Sequence, residues 1–174
     1  MQARRHEFEP AEALYRQAQA SATRGGFAVL AALIDGDIGA LELRRGRYDR
    51  ALTSLERSRA RMAGLELPHE LAVAEQYLAD AYLELNLLPE ALALYERSLA
   101  SYEAAGAVTD RAWVLSQRGR ALALLGRHQA AAASLAQANQ AFANEDNPAG
   151  AALVQLWLAE LALRRHEWTS AAQH

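Results

Sequence analysis

The sequence predicts an all-α solenoid, a stack of antiparallel helix pairs, and three observations carry that prediction. Ala11, Ala51, Ala91, Ala131 and Ala171 stand 40 residues apart, each three residues after a large side chain: Phe8, Tyr48, Leu88, His128 or Trp168. A fixed period of this order marks a repeat architecture in which one supersecondary unit stacks on the next. Within a row the apolar spacing is helical: Val73, Tyr77, Leu78, Ala81, Tyr82 and Leu85 fall at three- and four-residue steps, as one buried stripe requires. Alanine and leucine dominate while valine, isoleucine, threonine and aromatics are thin, a bias toward helix over strand.

The elements follow in order. A first helix over 9–23 closes at Gly25–Gly26. The second spans 28–45 and ends at Gly46 and Arg47. Its opening, Phe27 to Ile34, is the best strand candidate in the chain, but later rows carry helices at that place and the repeat overrules it. The third, 49–63, precedes the break Gly64 to Pro68, and the fourth, 69–86, holds the stripe just described. Pro89 suits the first turn of the fifth helix, 90–105, where its missing N–H costs nothing; Leu92, Tyr95 and Leu99 form its stripe and Gly106 its end. The sixth, 109–125, stops at Gly126 to His128; the seventh, 129–143, stops at Asn144 to Pro148. An eighth covers 149–165, and a ninth begins near Trp168 and is cut off. The breaks after the first, third, fifth and seventh helices read as the longer ones, separating one row from the next.

Laid over one another, the rows show how the helices meet. Gly39, Ala79, Gly119 and Ala159 are small; so are Ala18, Ser58, Ser98 and Ala138. Tyr15, Leu55, Tyr95 and Leu135 recur as large groups, followed by Met62, Tyr102 and Phe142. Small residues let helix axes approach closely and large ones fill the gaps beside them, so both kinds recurring in register predict a repeated helix–helix contact.

Composition bounds the function. Hydrophobic residues make up 52% of the 174, ample for a core, and the formal charge of −3 leaves no basic excess for nucleic acid. All 18 basic residues are arginine, which removes lysine Schiff-base chemistry and the phosphate-gripping lysine of a P-loop. Cysteine is absent, and with it disulfides and thiolate metal sites. No apolar run approaches the roughly 18 residues that span a bilayer, and Met1 to Pro10 lack the apolar core of a signal peptide, so a cytoplasmic location is expected. His6-Glu7, His69-Glu70 and His166-Glu167 lack the second histidine that a zinc-protease helix needs, and no nucleophile elbow is present. Asp35-Gly36-Asp37 is similar to the start of a calcium loop, but Gly46 stands where its terminal glutamate belongs. No metal, cofactor or catalysis is expected.

The second row reads Leu78-Ala79, Tyr82, Ala91 and Tyr95, and this spacing resembles the tetratricopeptide pattern L-G-x-x-Y … A-x-x-x-F. Ile38-Gly39 with Ala51 and Leu55, Gly119 and Leu122 with Ala131 and Leu135, and Leu158-Ala159 with Ala171 keep that spacing. The family's tryptophan is replaced by Asp35, Glu75, Leu115 and Gln155, and Arg118 stands for a leucine, departures that weaken the third repeat most. The resemblance implies a right-handed α-solenoid of about eight antiparallel helices with a truncated ninth. It would be a single domain over 1–174, with repeats at 27–66, 67–106 and 107–146 and partial ones at 1–26 and 147–174. The six residues beyond the family's usual ~34 would lie between the second helix of one repeat and the first of the next. Because the register starts and stops mid-repeat, a piece of a longer array is expected.

The resemblance also places a partner-binding groove on the first helix of each repeat. Transferred by position, its residues are Asp37, Gln76, Tyr77, Asp80, Gln117, Arg120, Trp157 and Glu160, with Gly36, Ala40, Ser116 and Leu156 beside them. Aromatics, amides and both charge signs suit an extended or helical peptide, although Tyr77 and Trp157 at helical spacing equally suit packing between helices. Asp80, Arg120 and Glu160 alternate in sign and either neutralise one another or meet a partner. Gly36 has no packing explanation in its row, where Gln76, Ser116 and Leu156 stand elsewhere. The cluster Arg44, Arg45, Arg47 and Arg50 reads as a solvated edge or as a contact for an acidic partner. Lacking lysine, the chain is not expected to grip a chaperone's C-terminal carboxylate. The expected role is a protein–protein interaction scaffold. Long-period arrays also resemble ligand-sensing segments of bacterial transcription regulators and regulatory arms of CHAT-type proteases, and the exposed repeat ends allow self-association.

Overall fold

A computed structural model describes the backbone of residues 8–171 and the side chains of residues 8–163. His6 and Glu7, and the side chains of His166, Glu167, Trp168 and Ala171, lie outside the described residues. Eight helices follow one another: α1 (Glu9–Arg24), α2 (Ala28–Arg44), α3 (Tyr48–Gly64), α4 (Pro68–Glu84), α5 (Leu88–Ala105), α6 (Val108–Leu124), α7 (His128–Asn144) and α8 (Pro148–Ala171). All described secondary structure is helical, and Phe27 to Ile34 indeed enters a helix rather than a strand. No helix among the described residues is long and apolar enough to cross a membrane.

The turns are more regular than the sequence suggests. Among the described residues a positive φ occurs at Gly26, Gly46, Glu66, Asn86, Gly106, Gly126 and Asp146, one per turn and 20 residues apart. Each closes a helix in the left-handed conformation. In five turns the next N–H reaches back five residues: Phe27 to Ala22 O, Arg47 to Glu42 O, Ala107 to Tyr102 O, Arg127 to Leu122 O and Asn147 to Phe142 O, each at 2.9 Å. This bond satisfies a carbonyl that the helix end would otherwise leave bare. The breaks between rows are therefore no longer than those within rows. A 17-residue helix plus a three-residue turn fills half a period, so the residues beyond the family's usual length extend the helices and not the connections. The expected ninth helix is also corrected: α8 runs on through Ala171. His166 stands where the other turns place their left-handed residue, and four of those seven are glycine, the residue that pays no steric cost there.

The packing forms two compact units, the first ending at Leu85 and the second beginning at Asn86. In the first, α2 packs against α1 and α3, and α4 against α3 and α2. In the second, α6 packs against α5 and α7, and α8 against α7 and α6. Both units use one contact. A Cβ on Gly39 would lie 2.5 Å from Leu55 Cγ and 3.2 Å from the Ala51 carbonyl oxygen; on Gly119 it would lie 2.6 Å from Leu135 Cγ and 3.4 Å from the Ala131 oxygen. Ala51, Ala91 and Ala131 are fully buried, as are Tyr102 and Phe142, with Met62 nearly so. Ala159 departs from its row: it is exposed, while Gly39, Ala79 and Gly119 are buried.

The units differ in what fills the tryptophan position. In the second, Leu115 joins Leu122, Leu135, Phe142, Val154 and Leu161 in an apolar core, with Trp113 edge-on to Phe142 at 5.0 Å. In the first, the position holds buried acids. Asp35, fully buried, accepts hydrogen bonds from Gln19 of α1 and from Arg57 Nη2 of α3 at 2.5 Å, with Arg61 Nη1 at 3.0 Å. Glu75 lies 4.0 Å from Arg59 Nη1. Arg118 donates to Glu96 at 2.7 Å and to Ser134 Oγ at 3.2 Å, tying α5 and α7 to α6. Of the arginine cluster, Arg45 and Arg47 serve the fold by pairing with Glu12 and the buried Glu42. The Arg45 hydrogen bond holds the Glu12 carboxyl below its usual range.

Candidate partner-binding surface

In the first unit, α2 and α4 carry the predicted residues Asp37, Gln76, Tyr77 and Asp80. Asp35 and Asp37 are two residues apart, about 200° around a helix, so one points into the packing and the other away from it. Asp37 is exposed at its surface and makes no hydrogen bond or ion pair among the described residues. Its carboxyl is nevertheless surrounded closely enough that burial raises its pKa above the ordinary 3.8. Leu33 (44% exposed) and Leu30 (49%) lie one and two turns before it on the same face of α2. Sequence reading passed over these leucines, although their helical spacing from Asp37 signals a shared face. Tyr77 is 38% exposed, and Gln76 and Asp80 are half-buried. Packing does not require Gly36: a Cβ there would stand 3.9 Å from Tyr77 Cδ2 and 3.4 Å from Ser58 Oγ, ordinary van der Waals distances. The glycine belongs to a buried α2–α3–α4 contact, with room for one methyl group.

In the second unit, α6 and α8 bring Gln117, Arg120, Trp157 and Glu160 together. The Arg120 guanidinium lies over the Trp157 ring, 5.5 Å from its centroid, and donates to Gln117 Oε1 at 3.2 Å. Arg120, Trp157 and Glu160 line an open cleft of about 230 Å³ with Leu124 and Leu161. Trp157 is half-buried and packs against the apolar core, so it serves packing while presenting a face to the cleft. A cation over an indole is held by the ring quadrupole, typically by ~0.5–1 kcal/mol at an exposed site. Leu156, 63% exposed, stands one turn before Glu160.

These arrangements hold no nucleophile–base pair, and no group of three or more metal-ligating side chains occurs among the described residues. They offer shape, aromatic faces and charge. Comparison with known proteins agrees on the architecture. Residues 29–104 match the family model described as tetratricopeptide repeat. A search of the curated proteins found no match. Among solved structures, BtubC (BKLC) from P. vanneervenii superposes with a TM-score of 0.77 at 17% identity, covering 95% of this chain and 68% of that one. A Podosopora anserina kinesin light chain candidate with nearly identical TPR-like repeats superposes in two crystal structures, one of a point variant, with TM-scores of 0.76 and 0.74. Each is 18% identical and covers 98% of this chain and 84% of that one. Residues 29–104 are tetratricopeptide repeats, and the chain folds as an α-helical array of that kind.

Proposed function

We propose that the exposed face of the first helices binds a protein or peptide partner and that the chain acts as a non-catalytic interaction scaffold. Asp37 carries this reading. A partly desolvated carboxylate without a cation among the described residues, flanked by the exposed Leu30 and Leu33, suits a segment with a basic side chain beside an apolar one. The second unit carries polar and aromatic contacts of its own, the Arg120–Trp157 pair and Glu160. Tetratricopeptide repeats generally mediate protein–protein association, which supports the same reading. A displayed-peptide selection on the intact chain tests it: enriched peptides should carry a lysine or arginine near a large apolar residue. Asp37→Asn and Tyr77→Ala should each weaken them while circular dichroism stays native. Peptides without a basic residue, or indifferent to both changes, would overturn it.

Self-association is a second reading, favoured by Ala159 standing exposed where its row mates are buried and by exposed Leu156 and Leu163 on the same helix. Sedimentation velocity against concentration tests it, and a constant monomer mass would exclude it.

A further inference from the structure

We propose that the furrow between α1 and α3, on the side of α2 away from Asp37, is a separate binding site for an acidic peptide segment carrying a bulky apolar residue. The two helices flank α2, whose Ala31 and Asp35 form the floor. At the C-terminal ends of α1 and α3 lies a cleft of about 400 Å³ walled by Ala22, Ala31, Leu65 and Phe27, the last 62% exposed. Through Thr23 and Arg61 it is continuous with an open cleft of about 560 Å³ lined by Arg16, Arg24, Arg57, Arg61 and Gln19. One end is therefore apolar and the other carries four guanidinium groups.

The fold does not require those arginines. The same furrow in the second unit, between α5 and α7 over α6, has Glu96 for Arg16, Ala104 for Arg24, Gln137 for Arg57, Ala141 for Arg61 and Leu115 for Asp35. The second unit packs its helices with that set. Nor are the four cations balanced. Arg57 and Arg61 share the single buried carboxylate of Asp35. Arg16 pairs with Glu12, which Arg45 and Arg47 also engage. Arg24 donates to the Ala20 carbonyl oxygen at 3.3 Å and meets no carboxylate among the described residues. Asp35 does more than neutralise. Buried and bonded to α1 and α3 together, it fixes Arg57 and Arg61 one turn apart, so part of the ordering that binding requires is already done.

The shape selects the ligand. Arg16 and Arg24 lie eight residues apart, about 12 Å along α1 at the helical rise. Charge spread over that length suits a run of carboxylates rather than one point anion, and the guanidinium fork matches a carboxylate with two parallel hydrogen bonds. The apolar end then receives a leucine- or phenylalanine-sized side chain from the same segment.

Fluorescence anisotropy with the intact chain and a labelled peptide of sequence Glu-Glu-Leu-Glu-Glu tests the proposal. The peptide should bind saturably and lose affinity between about 0.1 M and about 1 M salt, as screening shortens from ~10 to ~3 Å. Arg16→Gln with Arg24→Gln, neither touching Asp35, should weaken it roughly tenfold while circular dichroism stays native. Phe27→Ser should weaken this peptide but not one with serine in place of leucine. Glu103→Gln on α5 and Asp37→Asn on the opposite face should change nothing, which keeps the result separate from the function proposed above. Absent binding, binding indifferent to the arginine pair, or displacement by inorganic phosphate at concentrations equal to the peptide's would each overturn it.

Discussion

At the scale of single residues, two glycines three positions apart in α2 make opposite predictions. Gly39 is a contact: any Cβ meets Leu55 at 2.5 Å. Gly36 faces ordinary van der Waals distances, 3.4 Å and beyond. Alanine in a helix interior is favoured over glycine by ~1 kcal/mol, whereas overpacking a tight contact costs ~1–3 kcal/mol. Gly36→Ala should therefore stabilise by about 1 kcal/mol and Gly39→Ala should destabilise or at best break even, measured by urea unfolding. Asp37 supplies a pH test. Its pKa is raised by burial, so the ionised form costs the fold stability at neutral pH. That cost is relieved as pH falls through the raised folded value and is gone below the ordinary 3.8. Asp37→Asn should thus melt above the parent near pH 7 and together with it near pH 3. A cost retained in the native chain at an exposed position fits a residue kept for binding.

At the scale of elements, every turn among the described residues places one left-handed residue, yet three of the seven such positions hold Glu66, Asn86 and Asp146 in place of glycine. A side chain in that region crowds its own backbone, at ~1–2 kcal/mol for most residues and less for asparagine and aspartate. Glu66→Gly should raise the unfolding free energy by about 1 kcal/mol, and Asn86→Gly by less, on the same urea scale. The helices themselves were legible because alanine and leucine at three- and four-residue steps admit little else. Their boundaries fell within two residues of expectation until α8, whose stop rested on the repeat alone. Turn lengths were misjudged because Gly64 and Pro68 look like a long break in sequence, although Gly64 ends a helix, Pro68 opens the next and Glu66 supplies the turn. Of the candidate surface, the row of first-helix residues followed from register. Leu30 and Leu33 did not, because in a helix-rich chain an apolar residue at helical spacing reads as core. The α1–α3 furrow was hidden for a different reason: its arginines lie on two rows and meet only when α1 and α3 fold against α2.

At the scale of the whole molecule, one repeat is satisfied in two chemically different ways, and that difference is measurable. The second unit places Leu115 where the first places Asp35, within the same helix–helix geometry. A buried carboxylate is tolerated only while its partners stay, and removing one side of such a pair typically costs ~3–5 kcal/mol because the remaining charge is left in a dry environment. Replacing a buried ionic cluster by apolar residues of similar volume is instead often neutral or stabilising by ~1–4 kcal/mol. Arg57→Ala combined with Arg61→Ala should therefore destabilise the chain severely, whereas Asp35→Leu, which copies the second unit's solution, should leave it at least as stable. Arg57 and Arg61 are 43% and 37% exposed in their side chains, so freed of Asp35 they return to water without a penalty comparable to that of a stranded carboxylate. Urea unfolding of the three proteins would show midpoints ordered as Asp35→Leu, then parent or level with it, then the double arginine variant. The reverse order for Asp35→Leu would mean that the carboxylate, and not the apolar volume around it, holds α1 and α3 to α2. In that case the first unit depends on its ion cluster for assembly, and the repeat in which arginine gathers is built on a different balance of forces from the repeat that packs on leucine.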